Sequence, residues 1–221
     1  MGGLIAAAGP YRLRVEAHCP PFQVLARAIA HQQLNGVAAN TILTRFITSC
    51  GEGTFPRPEA VLAASDAQLR ASGFSFAKIA SLRDLANKTL SGTVPTREVL
   101  VTLDGEDIIE RLTQVRGIGR WTVEMMLMFH LRRPDVLPVD DFGVRNGFRR
   151  AYGLRAMPAP RALTLYGERW GPHRTAAAWY LWRAVELAKI GQLPTPPERF
   201  RLPRVPRARR RSKATRRRKT R

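Results

Sequence analysis

Val115-Arg-Gly-Ile-Gly-Arg-Trp-Thr122 and, further on, Leu137-Pro-Val-Asp-Asp-Phe-Gly-Val-Arg145 decide the fold of this chain. In the first run two glycines flank one aliphatic residue, Gly117-Ile118-Gly119. A Cβ at either glycine is expected to obstruct the tight turn they make. Upstream, Glu106-Asp-Ile-Ile-Glu-Arg-Leu-Thr113 carries Ile108, Ile109 and Leu112 on one side of a helix. Downstream, Arg120 to Leu131 forms a second helix, so the unit is helix, glycine hairpin, helix. Its glycine amides, at a helix N-terminus, offer a ready site for a phosphate oxygen.

The second helix is apolar around most of its circumference. Val123, Met126, Leu127 and Leu131 share one face, and Trp121, Met125, Met128 and Phe129 the other. A helix of that kind belongs in the middle of a domain. Its roughly 12 residues carry the chain about 18 Å from the hairpin. The loop Arg132–Pro138, if extended, spans up to ~23 Å. That is enough to return Asp140 and Asp141 to the level of Trp121, which would set a carboxylate, an indole and a phosphate-binding turn together.

Elsewhere the apolar spacing predicts helices over Pro20–Leu34, Val37–Cys50, Ser75–Leu90, Asp141–Tyr152, Arg161–Trp170 and Pro172–Ile190, the last with its proline in the first turn. Phe55-Pro-Arg-Pro-Glu59 opens a short helix, and Ser65-Asp-Ala-Gln68 has the form of a capping box. No strand-like alternation is present, so the expected fold class is all-α. Residues 1–19 are a short lead-in and 20–193 the helical body. From Pro194 the sequence turns proline-rich and then arginine-rich, and 194–221 is expected to be a disordered cationic tail.

The 221 residues suffice for a substantial core. The formal net charge is +20, and thirteen Lys and Arg with no acid lie between Arg199 and Arg221. A polyanion is the natural partner, nucleic acid ahead of a membrane surface. No apolar run is long enough to cross a bilayer, and the N-terminus lacks a basic region before its short apolar stretch. Two cysteines, Cys19 and Cys50, support neither a disulfide framework nor a metal cluster, which fits a reducing compartment.

The hairpin-to-carboxylate pattern resembles the helix-hairpin-helix DNA glycosylase superfamily, and within it the 3-methyladenine DNA glycosylase II type. The resemblance runs from about Pro20 to about Ile190. It implies a two-lobed all-α fold with a central cleft and a monofunctional enzyme of base excision repair. That enzyme would hydrolyse the glycosidic bond of alkylated purines such as 3-methyladenine and 7-methylguanine in double-stranded DNA after base flipping. Asp141 corresponds to the family's catalytic aspartate. Trp121 and Trp182 correspond to aromatic walls of the base pocket, and Met125 stands where relatives carry a tyrosine. Gly117, Gly119 and Arg120 correspond to the hairpin that holds the DNA backbone. Ala28-Ile-Ala-His-Gln-Gln-Leu34 resembles the minor-groove wedge, with Gln33 at the wedge position and Leu34 beside it. Asp140 is left as a cap or neighbouring anion, and Arg174 as a partner of phosphate or carboxylate. Lyase members carry a lysine where Trp121 stands, and an indole cannot form a Schiff base. The four-cysteine loop of iron–sulfur members is missing, so no metal or redox cofactor is expected. The hairpin carbonyls are a candidate seat for a monovalent cation. A monomer in the cytoplasm, associated with the nucleoid, is expected.

The chemistry is coherent with these residues. Breaking a C1′–N bond passes through an oxocarbenium-like state, which a fixed anion favours. The same anion can orient or deprotonate water. Stacking a cationic ring on indole adds ~0.5–2 kcal/mol. Each residue also has a plainer role open to it. Asp-Asp at a helix start can simply cap it, the tryptophans can be core, the glycines can serve helix packing, and Leu34 can pack inward. On that footing the chain would be a non-catalytic DNA-binding protein; a glycosylase of other lesion specificity is the further alternative.

Overall fold

A computed structural model describes residues 1–16, 18–197 and 200–203. All its regular elements are helices: α1 (Gly2–Ala8), α2 (Pro21–His31), α3 (Gly36–Cys50), α4 (Pro58–Ala63), α5 (Asp66–Ala71), α6 (Phe76–Leu90), α7 (Arg97–Leu100), α8 (Gly105–Leu112), α9 (Arg120–Phe129), α10 (Phe142–Ala151), α11 (Pro160–Gly167) and α12 (Arg174–Lys189). A 3-10 turn, Glu168–Trp170, extends α11.

Local chemistry sets the starts of these helices. Asn35, Ser75, Asp104 and Asp141 each accept a backbone N–H from the first turn of the helix that follows. Ser65 and Gln68 form the expected reciprocal capping box of α5. Pro21, Pro58 and Pro160 occupy first-turn positions, where a missing N–H costs nothing. Pro172 does not: α12 begins later, at Arg174, because the Arg174 amide and side chain both reach back to Asp135.

Two cores result. Phe22, Leu25, Ile29, Phe46, Phe74, Leu82, Leu85, Ile108, Leu112, Val123 and Leu127 belong to the first. Met128, Val144, Phe148, Tyr152, Leu163, Tyr166 and Leu181 belong to the second. Full burial of side chains such as Phe46, Phe74 and Phe148 stabilises by roughly 1.5–3 kcal/mol each. Helix α9 joins the lobes, since its neighbours Leu127 and Met128 lie in different cores. In the second lobe α10 crosses α12 closely at Gly147, where a Cβ would fall 1.8 Å from the Leu181 carbonyl oxygen.

The loop after α9 is fastened rather than loose. Buried Thr175 donates to the Arg133 carbonyl at 2.7 Å and accepts from the Val136 amide at 3.0 Å. Arg133 donates to the Val101 carbonyl at 3.1 Å. These bonds fix the path by which the chain returns to Asp141.

Both ends depart from expectation. The first residues are no mere lead-in: Leu4 packs with Tyr180, Ala184 and Leu187, and the Tyr180 hydroxyl donates to the Gly9 carbonyl at 3.1 Å. Past Pro194, Phe200 packs on the second lobe, its ring centroid 4.4 Å from that of Tyr152 and 5.7 Å from that of Phe148. An aromatic side chain in an otherwise polar segment finds an aromatic seat there. Residues 204–221, the rest of the expected tail, lie outside the described residues.

Candidate active site

Asp141 ends the return loop and caps α10. One carboxylate oxygen accepts the Val144 amide at 2.6 Å and the Trp182 indole N–H at 2.8 Å. The other accepts the Trp121 indole N–H at 2.8 Å. Every one of these neighbours donates, an arrangement matched to the acceptor-only, ionised carboxylate. Capping and site chemistry are therefore not alternatives at Asp141. One oxygen caps the helix, the other accepts only from Trp121 among the described residues, and the cap is Asp141 rather than Asp140, which is exposed. Gly143 makes the arrangement possible, since a Cβ there would lie 2.7 Å from the Trp182 ring and 3.1 Å from the Asp141 carboxylate. Sequence reasoning passed over Gly143; its place two residues after the carboxylate was the available signal.

Trp121, bonded to Asp141, lines a cavity of about 810 Å³ with Met125, Phe129, His130, Gln33 and Gly117 among others, and Asp141 itself is not in that lining. Trp121 is 48% exposed, so a ring face is open to a ligand while its N–H is held by Asp141. Met125 lines the cavity as expected. Trp182 does not: it stacks on Phe129, centroids 5.8 Å apart, and faces a second hollow shared with Trp179, Arg12 and Arg14. The strap before α2 also contributes to the cavity, through Arg14, Glu16 and Cys19.

At the hairpin, Gly117 has φ 77°, and a Cβ would meet the Ser81 hydroxyl at 2.9 Å. Gly119 caps α9 at φ −96° with open space where a Cβ would stand, so the turn itself does not demand glycine there. The amides of Gly117 and Gly119 meet no backbone acceptor among the described residues. The turn is clamped from several sides. The Arg116 amide donates to Asp84 at 2.7 Å, Lys88 to the Gln114 carbonyl at 2.6 Å, and Gln32 to the Gly117 carbonyl at 2.7 Å. Burial pushes the Asp84 carboxyl up, but the Arg116 amide and Lys88 outweigh it and hold it below the usual range.

Gln32 thereby couples the hairpin to the loop that follows α2. In that loop Gln33 sits at φ 57°, exposed at the cavity mouth, and Leu34 is 40% exposed rather than packed inward.

The two arginines singled out in the sequence both pair with carboxylates. Arg120 donates to Glu106 at 2.9 Å and to Glu124 at 3.1 Å, tying α8 to α9. Its guanidinium is committed to carboxylates instead of standing free for a phosphate. Arg174 forks onto Asp135 through two bonds of 2.6 Å, which lowers the Asp135 carboxyl. Both arginines line a hollow that contains neither Asp141 nor Trp121. Glu124 went unpredicted. It is 4% exposed, and burial pushes its carboxyl up to about 7 against the pull of Arg120.

A hairpin presenting free amides beside a carboxylate-and-indole cleft, in an all-helical two-lobed body, defines a helix-hairpin-helix repair protein. Residues 26–173 match the family described as HhH-GPD superfamily base excision DNA repair protein, and the chain belongs to that superfamily. It is similar to DNA-3-methyladenine glycosylase 1 of Schizosaccharomyces pombe, 48% identical over 168 residues that cover 76% of this chain and 74% of the relative. Similarity to DNA-3-methyladenine glycosylase 2 of Escherichia coli is 29% over 188 residues, covering 81% of this chain and 63% of that one. Among solved structures, the S. pombe 3-methyladenine DNA glycosylase in complex with abasic DNA superposes with a TM-score of 0.75 at 45% identity, covering 84% of this chain and 90% of that one. The Bacillus halodurans DNA-3-methyladenine glycosidase gives 0.77 at 36% identity, with 84% of each chain covered.

Proposed function

We propose that this chain is a monofunctional DNA glycosylase that removes alkylated purines from double-stranded DNA by hydrolysis. The observation that carries this is the Asp141 carboxylate, held by one amide and two indole N–H groups, one of them from Trp121 in the cavity wall. A capped helix needs one of those three bonds; two tryptophans turned onto the same carboxylate exceed what capping requires. The relatives named for 3-methyladenine support the substrate class.

In this mechanism the amides of Gly117 and Gly119 hold the DNA backbone, and Gln33 and Leu34 fill the gap left by the everted nucleotide. The cationic base lies against Trp121, Met125 and Phe129. Its positive charge already makes it a good leaving group, so little acid assistance is needed. Asp141 stabilises the developing charge at C1′ and orients the attacking water. Hydrolysis changes no oxidation state and so needs no redox cofactor. The Gln114 and Gly117 carbonyls already accept from Lys88 and Gln32, and each would have one lone pair left for a monovalent cation at the hairpin. Such an enzyme acts as a monomer with the nucleoid in the cytoplasm.

Asp141→Asn tests the assignment, because Asn is also a good cap and keeps α10 intact. The variant should bind duplex DNA as the wild type does and release methylpurines at least 100-fold more slowly, on the order of one lost electrostatic contact at the reacting centre. Undiminished release would refute Asp141 as the catalytic carboxylate, and no release by either protein would leave the non-catalytic DNA-binding alternative standing.

A further inference from the structure

His130 follows directly on α9 and lines the cavity with Trp121, Met125 and Phe129. Its Nδ1 lies 3.0 Å from the Glu16 carbonyl oxygen, and the Glu16 amide donates to the Phe129 carbonyl at 2.9 Å. The strap before α2 is thus pinned to the end of α9 at two adjacent points. A carbonyl oxygen only accepts, so Nδ1 carries the proton in this bond. In the neutral tautomer that carries its proton on Nδ1, Nε2 is a bare acceptor. The only side-chain hydrogen bond found for His130 among the described residues is the one at Nδ1. Along α9 the cavity is lined by the rings of Trp121 and Phe129 and the thioethers of Met125 and Met126, which distinguish bases poorly, with Thr122 the one other polar side chain. A fixed acceptor in that wall can read a base edge.

We propose that His130 is a specificity-determining residue of the cavity. Its Nε2 accepts a hydrogen bond from the exocyclic amine of an everted purine, favouring alkylated adenine over alkylated guanine. This rests on the glycosylase function proposed above and names its substrate preference. Position 6 carries an amino group in adenine and a carbonyl in guanine. Methylation at N3 places positive charge in the adenine ring, and the amino group shares it and becomes the stronger donor. A guanine carbonyl would instead present its lone pairs to the lone pair of Nε2.

The test uses the full chain on duplex DNA carrying labelled methyl groups. Release of 3-methyladenine and 3-methylguanine is measured by chromatography in the same reaction, and only the ratio of initial rates is compared. That ratio is insensitive to partial unfolding or weaker DNA binding, which slow both releases alike. The wild type should favour 3-methyladenine. His130→Ala should lower the ratio by about three- to tenfold, the weight of one hydrogen bond. His130→Gln, whose amide oxygen also accepts, should keep most of the preference. Both bases still released at an unchanged ratio by His130→Ala would overturn the inference. Release of neither base by the wild type would instead sink the glycosylase function itself, and this inference with it.

Discussion

Gly117 and Gly119 are alike in the sequence and unlike in the structure. At Gly117 the backbone is left-handed and the Ser81 hydroxyl blocks a Cβ at 2.9 Å. At Gly119 the backbone is ordinary and the space beside it is open. Gly117→Ala should therefore destabilise the fold by about 1–3 kcal/mol, from the strained dihedral and the clash together. Gly119→Ala should change stability by less than ~0.5 kcal/mol and yet weaken DNA binding, because its methyl group stands beside amides proposed to hold a phosphate. Urea midpoints and DNA affinities of the two variants check this, and equal stability losses would refute it. The glycine pair is legible in sequence; the sign of φ is not, because it depends on how Asp84, Lys88 and Gln32 clamp the turn. Asp141 and Trp121 were legible for a complementary reason. Helix length and loop reach allowed Asp140 and Asp141 to return to Trp121, the family resemblance singled out Asp141, and the indole–carboxylate bond of 2.8 Å agrees. Trp182 was legible only as an aromatic residue, since its stacking on Phe129 comes from how α12 packs against α9 and α10.

At the scale of elements, α9 carries a group its pattern concealed. Trp-Thr-Val-Glu-Met-Met-Leu-Met-Phe129 reads as apolar, and the lone Glu124 in it is buried beside Arg120. Arg120 is shared with Glu106, so its pull does not overcome burial, and the carboxyl rises to about 7 from an ordinary value of 4.5. The folded protein then holds this proton more tightly than the unfolded chain. Stability contributed at this position should be fully present below pH 4.5, fall as pH rises towards 7, and level off above. Glu124→Gln removes the titration, so wild-type stability relative to the variant should drop by on the order of 3 kcal/mol across that window. Parallel urea titrations of both proteins at several pH values measure it, and a constant difference would refute it. Helix identities were otherwise well specified by periodicity and caps. The start of α12 was not, because Asp135, far away in sequence, decides it.

For the whole molecule, charge is the property that sequence alone gives. Residues 204–221 hold eleven Lys and Arg. Each phosphate they neutralise adds about 0.9 to the slope of log affinity against log salt. Deleting 204–221 should flatten that slope by several units while leaving base release at saturating DNA unchanged. An unaltered slope would show that the segment does not engage DNA. The strap over residues 10–16 was illegible by contrast. It has little periodicity, and its decisive bond to α9 runs from one backbone to another, so no side-chain pattern announces it.

Leu127 and Met128 are consecutive residues that serve two different cores. Hybrids of related chains spliced at the loop after Leu131 would therefore cut through a shared wall. Met128 would come from one parent, and Val144 and Phe148, which complete its core, from the other. The halves of this protein must be inherited together.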